Sequence, residues 1–476
     1  MDRRKARLFA AGIGLALLIS SERPAVAQIS GGTSGTSGTS GTSGQSGQSG
    51  TTSGGIFVDS QGVVKAVFDR SKSSRLDKVR RQELAGKSLP GDLNESSGLR
   101  KISLVELEAA CEEFARDKKH VTSEMQFLAG LQRIDYVFVY PDESDLVIAG
   151  PAEGYAIDAA GRAIGVSTGR PALRLDDLMV ALRSIERGGG IIRCSIDPTE
   201  ANLAKLSKFV ADHSAAASLE TSKADFSRLG SVLGMQDVSV SGVPAESHFS
   251  ELLVEADIRM KRLAIGVDAA RIKGFRSHLS MVGPGGNSMQ RWWFIPCYDV
   301  FTKTADGLGF EFSGQRVQLL SQEELVSANG KRSDAPFTRI STQKFSKQFT
   351  DRFAELADAT PVFAELQSLF DLAVLAALVK KERLAAKVGW PMSLFLDAQR
   401  APIGKRNIPR QVESVSNFKV IGGKTFVAQV GGGIVIDPWQ LLGHDGFGHD
   451  AGDKLQTIHD QALAKNRPLK HRWWWD

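Results

Sequence analysis

Apolar spacing between residues 128 and 203 changes from alternating to helical, back to strand-like and to helical again, so this chain must pack strands against helices. Residues 134–140 (IDYVFVY) put Ile134, Tyr136, Phe138 and Tyr140 on one face and Val137 and Val139 on the other. Both faces are apolar, which predicts a strand in the middle of its sheet. A Pro141-Asp142 turn leads to a second strand at 146–149, and residues 155–166 supply two more around Asp158, Ala159, Ala160 and Gly161, a turn whose last residue takes positive φ. Leu175, Leu178, Met179, Leu182 and Ile185 recur at helical spacing until the glycines at 188–190 end the helix. Residues 191–196 then form a strand. Asp197 is placed to cap the next helix, with Pro198 at its first position and Glu200 closing a capping box. The fold class expected is α+β: mixed sheets with packed amphipathic helices, mostly antiparallel meanders plus one β-α-β-α stretch.

The two ends of the chain differ from this pattern. Arg3, Arg4, Lys5 and Arg7 precede an apolar run over residues 8–19, and Ala25, Val26 and Ala27 supply small residues for cleavage, so residues 1–27 read as a signal peptide of the general secretory route. The Arg3-Arg4 pair suggests twin-arginine export, but Lys5, Ala6 and Arg7 stand where apolar residues should follow. The run is shorter than the ~20 residues of a membrane span, and no transmembrane helix is expected in the mature chain. Cleavage removes five Lys or Arg and two Asp or Glu, taking the net charge from +5 to +2 (5 − 5 + 2). The basicity is mostly targeting signal, so nucleic acid is not an expected partner. Residues 28–55 repeat Gly-Thr-Ser and Gly-Gln-Ser as a low-complexity disordered arm. Cys111, Cys194 and Cys297 allow at most one disulfide, which excludes a disulfide scaffold.

Further along, residues 56–67 predict a hairpin and residues 70–101 a charged linker. A helix opens at the capping box of Ser103 and Glu106 and carries Cys111 on its apolar stripe. Pro244 opens another, in which Glu255 with Arg259 and Asp257 with Lys261 make one-turn pairs, read as a solvated face. Residues 275–320 predict a meander. Thr360 and Pro361 open a long core helix reaching about Ala386, apolar all round at 372–379. The glycine runs at 283–287 and 431–433 read as turns, with short strands beyond. The expected division is a mixed core domain at 56–330, a helical segment with short strands packed on it at 331–437, and a C-terminal tail at 438–476.

Several blocks in this order (LAGLQRIDYVFVY, DLVIAGPAEGY, LDDLMVALRS, CSIDPT, LLVEADIRMK, RWWFIP and PVFAELQSLFDLAVLAAL) resemble an exported bacterial family known as domain of unknown function family 1598, over residues 101–436. Tyr155 departs from its pattern where Trp is usual, and Ile258 where Tyr is usual. The resemblance implies a signal peptide, a variable arm and a domain with no assigned activity, and it supplies no functional residues.

From the residues themselves, the leading expectation is a non-catalytic binding or structural protein, exported to the periplasm, cell envelope or outside. The catalytic alternative is a thiol-dependent hydrolase with Cys194 as nucleophile, His248 as base and Asp197 as orienter. Candidate binding residues are Arg291, Trp292 and Trp293, and the terminal Trp473, Trp474 and Trp475. Adjacent tryptophans on a strand face opposite ways, so one of the first pair is available to an envelope protein or a polysaccharide unless both are buried between layers, the commoner arrangement. His444, His449 and His459 with Asp445, Asp450 and Asp453 match no ligand spacing, and no metal or cofactor is expected.

Overall fold

The computed structural model describes residues 55–58, 64–67, 74–214, 228–283, 289–421, 424–428, 430–443, 447–464 and 472–476. The signal peptide, residues 28–54 of the arm, and His444 and Asp445 lie outside the described residues. The fold is α+β, built on two seven-stranded sheets.

The first sheet runs in the order Arg332–Asp334, Arg316–Val326, Met289–Cys297, Val430–Ile436, Ile192–Pro198, Met235–Ser241, Gln411–Glu413. All its pairings are antiparallel except that of Met289–Cys297 with Val430–Ile436. The glycines at 431–433, expected in a turn, therefore sit inside the middle strand. Their neighbours require them: an added Cβ would lie 1.9 Å from the Trp292 carbonyl oxygen at Gly432 and 2.0 Å from that of Cys194 at Gly433. The second sheet runs Gly448–His449, Thr302–Lys303, Gly309–Glu311, Tyr136–Tyr140, Asp145–Ala152, Ser97–Ser103, Trp474–Trp475. Tyr136–Tyr140 is its middle strand, as two apolar faces require. The expected meander at 275–320 is instead shared out: Met289–Cys297 and Arg316–Val326 pair in the first sheet, while the short strands between them join the second.

Helix Pro361–Lys381 is the core of the molecule, with residues 372–379 at most 3% exposed. It is long and apolar enough to cross a membrane, yet its apolar window is wholly buried in protein. Asp371 joins it to both sheets, accepting from the Ile134 amide (3.0 Å) and the Tyr298 hydroxyl (2.7 Å) beside Arg316 (3.0 Å). An aromatic cluster of Phe345, Phe349, Phe353 and Phe363 seats the neighbouring helices on Phe294, and Phe345 also meets Trp292.

Three local expectations give way. The linker at 70–101 contains helix Ser74–Ser88 and part of strand Ser97–Ser103. The helix after Ile192–Pro198 is capped by Thr199, whose hydroxyl accepts from the Asn202 amide (3.1 Å), because Asp197 remains in the strand and bonds elsewhere. The tail at 438–476 is structured in its described parts. Helix Lys454–Ala464 lies over the outer face of the second sheet, where Leu455, Ala462 and Trp475 pack with Phe138, Tyr140 and Val147.

Candidate functional site

Helix His248–Ala264, capped by the Ser247 hydroxyl, begins four residues after Pro244 and lies between the first sheet and helix Pro361–Lys381. Both its sides are covered, so its charged residues are buried, contrary to the solvated face expected. Glu255 is 5% exposed, Asp257 0% and Lys261 5%. The one-turn spacing is the same for a surface pair and a buried one, so only the packing partners separate them.

Two polar clusters result. At the helix start, His248 Nδ1 is 2.8 Å from Asp177 Oδ2, and Nε2 is 3.8 Å from Glu365. Arg162, carried there by the hairpin of Tyr155–Ile157 and Ala163–Gly165, pairs with Glu365 (2.6 Å) and with Glu255. Burial works against the Arg162 charge, but Glu365 and Glu255 outweigh it and hold the guanidinium protonated; burial raises the Glu255 carboxyl. Three helical turns further on, Lys261 lies 2.7 Å from Asp257 and donates to the Ile196 carbonyl. The ammonium has three donors, so that donation leaves others for the Asp257 carboxylate, its partner in a buried ion pair.

The thiol candidates do not assemble. Cys194 lies on the covered face of its strand, 3% exposed, beside Asp257 and Lys261. Asp257 is nine residues beyond His248, about 13 Å along the helix axis, and His248 is committed to Asp177. Burial, with Asp257 adding to it, pushes the Cys194 thiol well above its usual value, the reverse of what a nucleophile needs. Alkylating reagent is expected to leave Cys194 unmodified in the folded protein at neutral pH and to label it once urea unfolds the chain. Rapid labelling of the native state, read by mass spectrometry, would contradict this burial.

Asp257 itself gives a pH prediction. Burial raises its carboxyl from 3.8 to about 6 despite Lys261. The folded state then holds this proton more tightly, so its contribution is fully present below about pH 4 and is lost as pH rises through 6, a change of about 3 kcal/mol. In Asp257→Asn that part of the slope should vanish, as measured by urea unfolding between pH 4 and 7.

The opposite face of the first sheet is partly exposed among the described residues, with Ser195 and Asp197 half-buried and Arg193 and Asp237 exposed. Trp292 points into the core, 0% exposed and 4.9 Å from the His278 ring, while Trp293 lies half-buried on that opposite face with the Arg291 guanidinium 6.0 Å from its centroid. Trp293 pairs with Leu320 on one side and Gly433 on the other, and Gly433 pairs with Ser195. Paired residues share a face, so the row across the sheet is Leu320, Trp293, Gly433, Ser195 and Ser239. At one end, Arg332 Nη1 lies 3.0 Å from Asp197 Oδ1 and 3.5 Å from Glu324 Oε2, and Arg291 lies 3.3 Å from Glu324. Ser195 also donates to Asp197. Burial opposes the Asp197 charge, but Lys261 and the bonds from Ser195 and Arg332 prevail and hold its carboxyl low.

The terminal tryptophans are not at the surface. Trp473, Trp474 and Trp475 are 5%, 3% and 3% exposed, because Trp474 and Trp475 add an edge strand against Ile102 and Lys101. Of the histidines considered for metal, His459 is buried against Tyr140 (4.6 Å between centroids), and His449 is in a two-residue strand. Among the described residues no three potential ligands gather. Arg332 and Glu324 were not singled out by motif, and Gly431 and Gly433 were read only as part of a turn: Arg332 reaches Asp197 from 135 residues away, a distance no spacing rule spans.

Residues 194–278 match the model of a family described as a protein of unknown function (DUF1598). The matched segment carries the strands and helix that hold Asp197, His248, Glu255, Asp257 and Lys261. No curated protein and no solved structure matches the chain.

Proposed function

We propose that this chain, which belongs to the DUF1598 family, is an exported cell-envelope protein that binds rather than catalyses, and that its working surface is the partly exposed sheet face around Trp293. The observation that carries this reading is the split between adjacent tryptophans: Trp292 is enclosed, while Trp293 is left half-exposed beside a strand without side chains at 431–433. An aromatic ring held rigidly by a central strand contributes contact area at small entropic loss, the property that makes Trp an anchor in interfaces. The hydrolase alternative finds no such support, since Cys194 and His248 sit in separate buried clusters. Export rests on the composition of residues 1–27, and tethering on the repeats that follow.

The test is fractionation of cells producing the full chain. Mature protein is expected in the envelope fraction, and Trp293→Ala is expected to weaken its retention about tenfold or more, with an unchanged circular dichroism melt. Equal retention of wild type and variant would remove this face from consideration, and recovery in the cytosol alone would remove the export reading.

A further inference from the structure

Helix Lys454–Ala464 lies on the face of the second sheet opposite the main core, over a small apolar cluster of its own. Leu455, Ile458 and Ala462 form its seated stripe at helical spacing. His459 falls among them, its side chain 8% exposed. The ring packs on Tyr140 (4.6 Å between centroids) and Phe138 (5.6 Å), and the Tyr140 hydroxyl donates to the His459 carbonyl (2.8 Å).

Both nitrogens of that ring face acceptors. Nε2 is 3.2 Å from the Val139 carbonyl oxygen. This carbonyl lies just past the end of strand Gly309–Glu311, where the next amide, Leu308, donates instead to Thr304 and Asp306 (3.1 and 2.9 Å). The imidazole thus stands where a ladder donor would, and because a carbonyl only accepts, Nε2 carries a proton. Nδ1 is 3.0 Å from Asp460 Oδ1, and the bond from His459 holds that carboxyl below its usual value. An ionised carboxylate also only accepts, so Nδ1 carries a proton too. An imidazole with two N–H groups is an imidazolium.

The neighbouring charges suit a cation. Asp306 faces the ring from the turn before Gly309–Glu311; burial opposes its charge, but Thr304, the Leu308 amide and His459 outweigh it. Of the other charged groups on this side, Asp450 accepts from the Leu455 and Gln456 amides, Asp145 accepts from the Ser103 hydroxyl, and half-buried Glu311 faces Asp135 and Asp450. Lys303 pairs with Glu382 (2.6 Å), Lys387 donates to the Gly307 carbonyl (3.1 Å), and Lys454 is exposed at the helix start.

We propose that His459 is a pH-sensitive latch: its imidazolium seats helix Lys454–Ala464 on the second sheet, and loss of the proton loosens the helix and uncovers Phe138, Tyr140 and Val147. On deprotonation the attraction to Asp306 disappears, the Nδ1 lone pair faces the Asp460 carboxylate, and the bond to Val139 is no longer charge-assisted. Proton and seated helix stabilise each other, so the hold is complete at acid pH and is lost as pH rises through the range where imidazoles change charge, about 5 to 8. This inference is independent of the binding reading above.

The experiment is native-state hydrogen exchange of the full chain, read by mass spectrometry over residues 454–464 and corrected for the intrinsic effect of pH on amide exchange. Opening of this helix is expected to be about threefold or more greater at pH 8 than at pH 5, with helix Pro361–Lys381 unchanged. In His459→Gln, whose amide still donates to Val139 but does not titrate, the difference should vanish. Asp460→Asn, at a side chain 64% exposed and so without risk to folding, should move the loosening to lower pH. Equal opening at both pH values in the wild type overturns the proposal. So does a response that persists in His459→Gln, is unmoved in Asp460→Asn, or is shared equally by Pro361–Lys381.

Discussion

Replacing Arg162 with leucine is expected to lower the unfolding free energy by about 3–5 kcal/mol, because Glu255 and Glu365, 5% and 4% exposed, would lose the cation they share. The three residues come from a hairpin and two helices, so the pairing ties three elements together at one buried point. The comparison that identifies the mechanism is Arg162→Leu combined with Glu255→Gln and Glu365→Gln. Neutral amides tolerate burial far better than unpaired carboxylates, and the combined variant should recover a substantial part of the loss in urea melts. A loss below about 1 kcal/mol for Arg162→Leu alone would mean that water reaches the carboxylates, as at an exposed pair.

Removing residues 473–476 is expected to destabilise the second sheet severely. Trp473 accepts from the Ser103 amide (2.9 Å), Trp475 donates to the Ala462 carbonyl (3.1 Å), and the Arg100 guanidinium, fully buried, forks onto the Asp476 carboxylate at 2.8 and 3.0 Å. The Trp474 ring is sandwiched between Arg100 (4.6 Å) and Arg472 (4.1 Å). Trp474→Ala alone should cost about 3–5 kcal/mol, the usual range for a buried tryptophan. Truncation should also strand the Arg100 charge in the interior. A truncated protein that melts with the midpoint and cooperativity of the full chain would return these residues to the tail that composition implies.

What could be read from residue order was local. Half of the Ser103 capping box holds: the Glu106 amide is 3.0 Å from the hydroxyl, while the Ser103 amide donates to the Trp473 carbonyl and not to the Glu106 side chain. The turn at Asp158 also holds, its carboxylate accepting from the Ala160 and Arg162 amides, with Gly161 at φ +77°. The all-round apolar run at 372–379 correctly announced a core helix. The misses share one physical cause. A glycine run, a pair of charges one turn apart, or three tryptophans near a terminus each have one meaning in solvent and another against a neighbour. The neighbour is set by pairings such as Gly433 with Ser195 or Trp474 with Ile102, hundreds of residues apart. The candidate site was legible only as far as the opposed directions of Trp292 and Trp293. Arg332 and Glu324, which complete it, belong to a hairpin whose reach across the sheet no local pattern encodes.

The strand Val430–Ile436 stands between Met289–Cys297 and Ile192–Pro198, so the first sheet has no continuous middle until the last tenth or so of the polypeptide has been made. Contacts this distant in sequence close slowly. A chain emerging from the ribosome therefore stays incomplete for most of its synthesis. If the chain is exported as proposed, that delay would keep the polypeptide in a form able to cross a membrane as a thread and defer assembly to the far side.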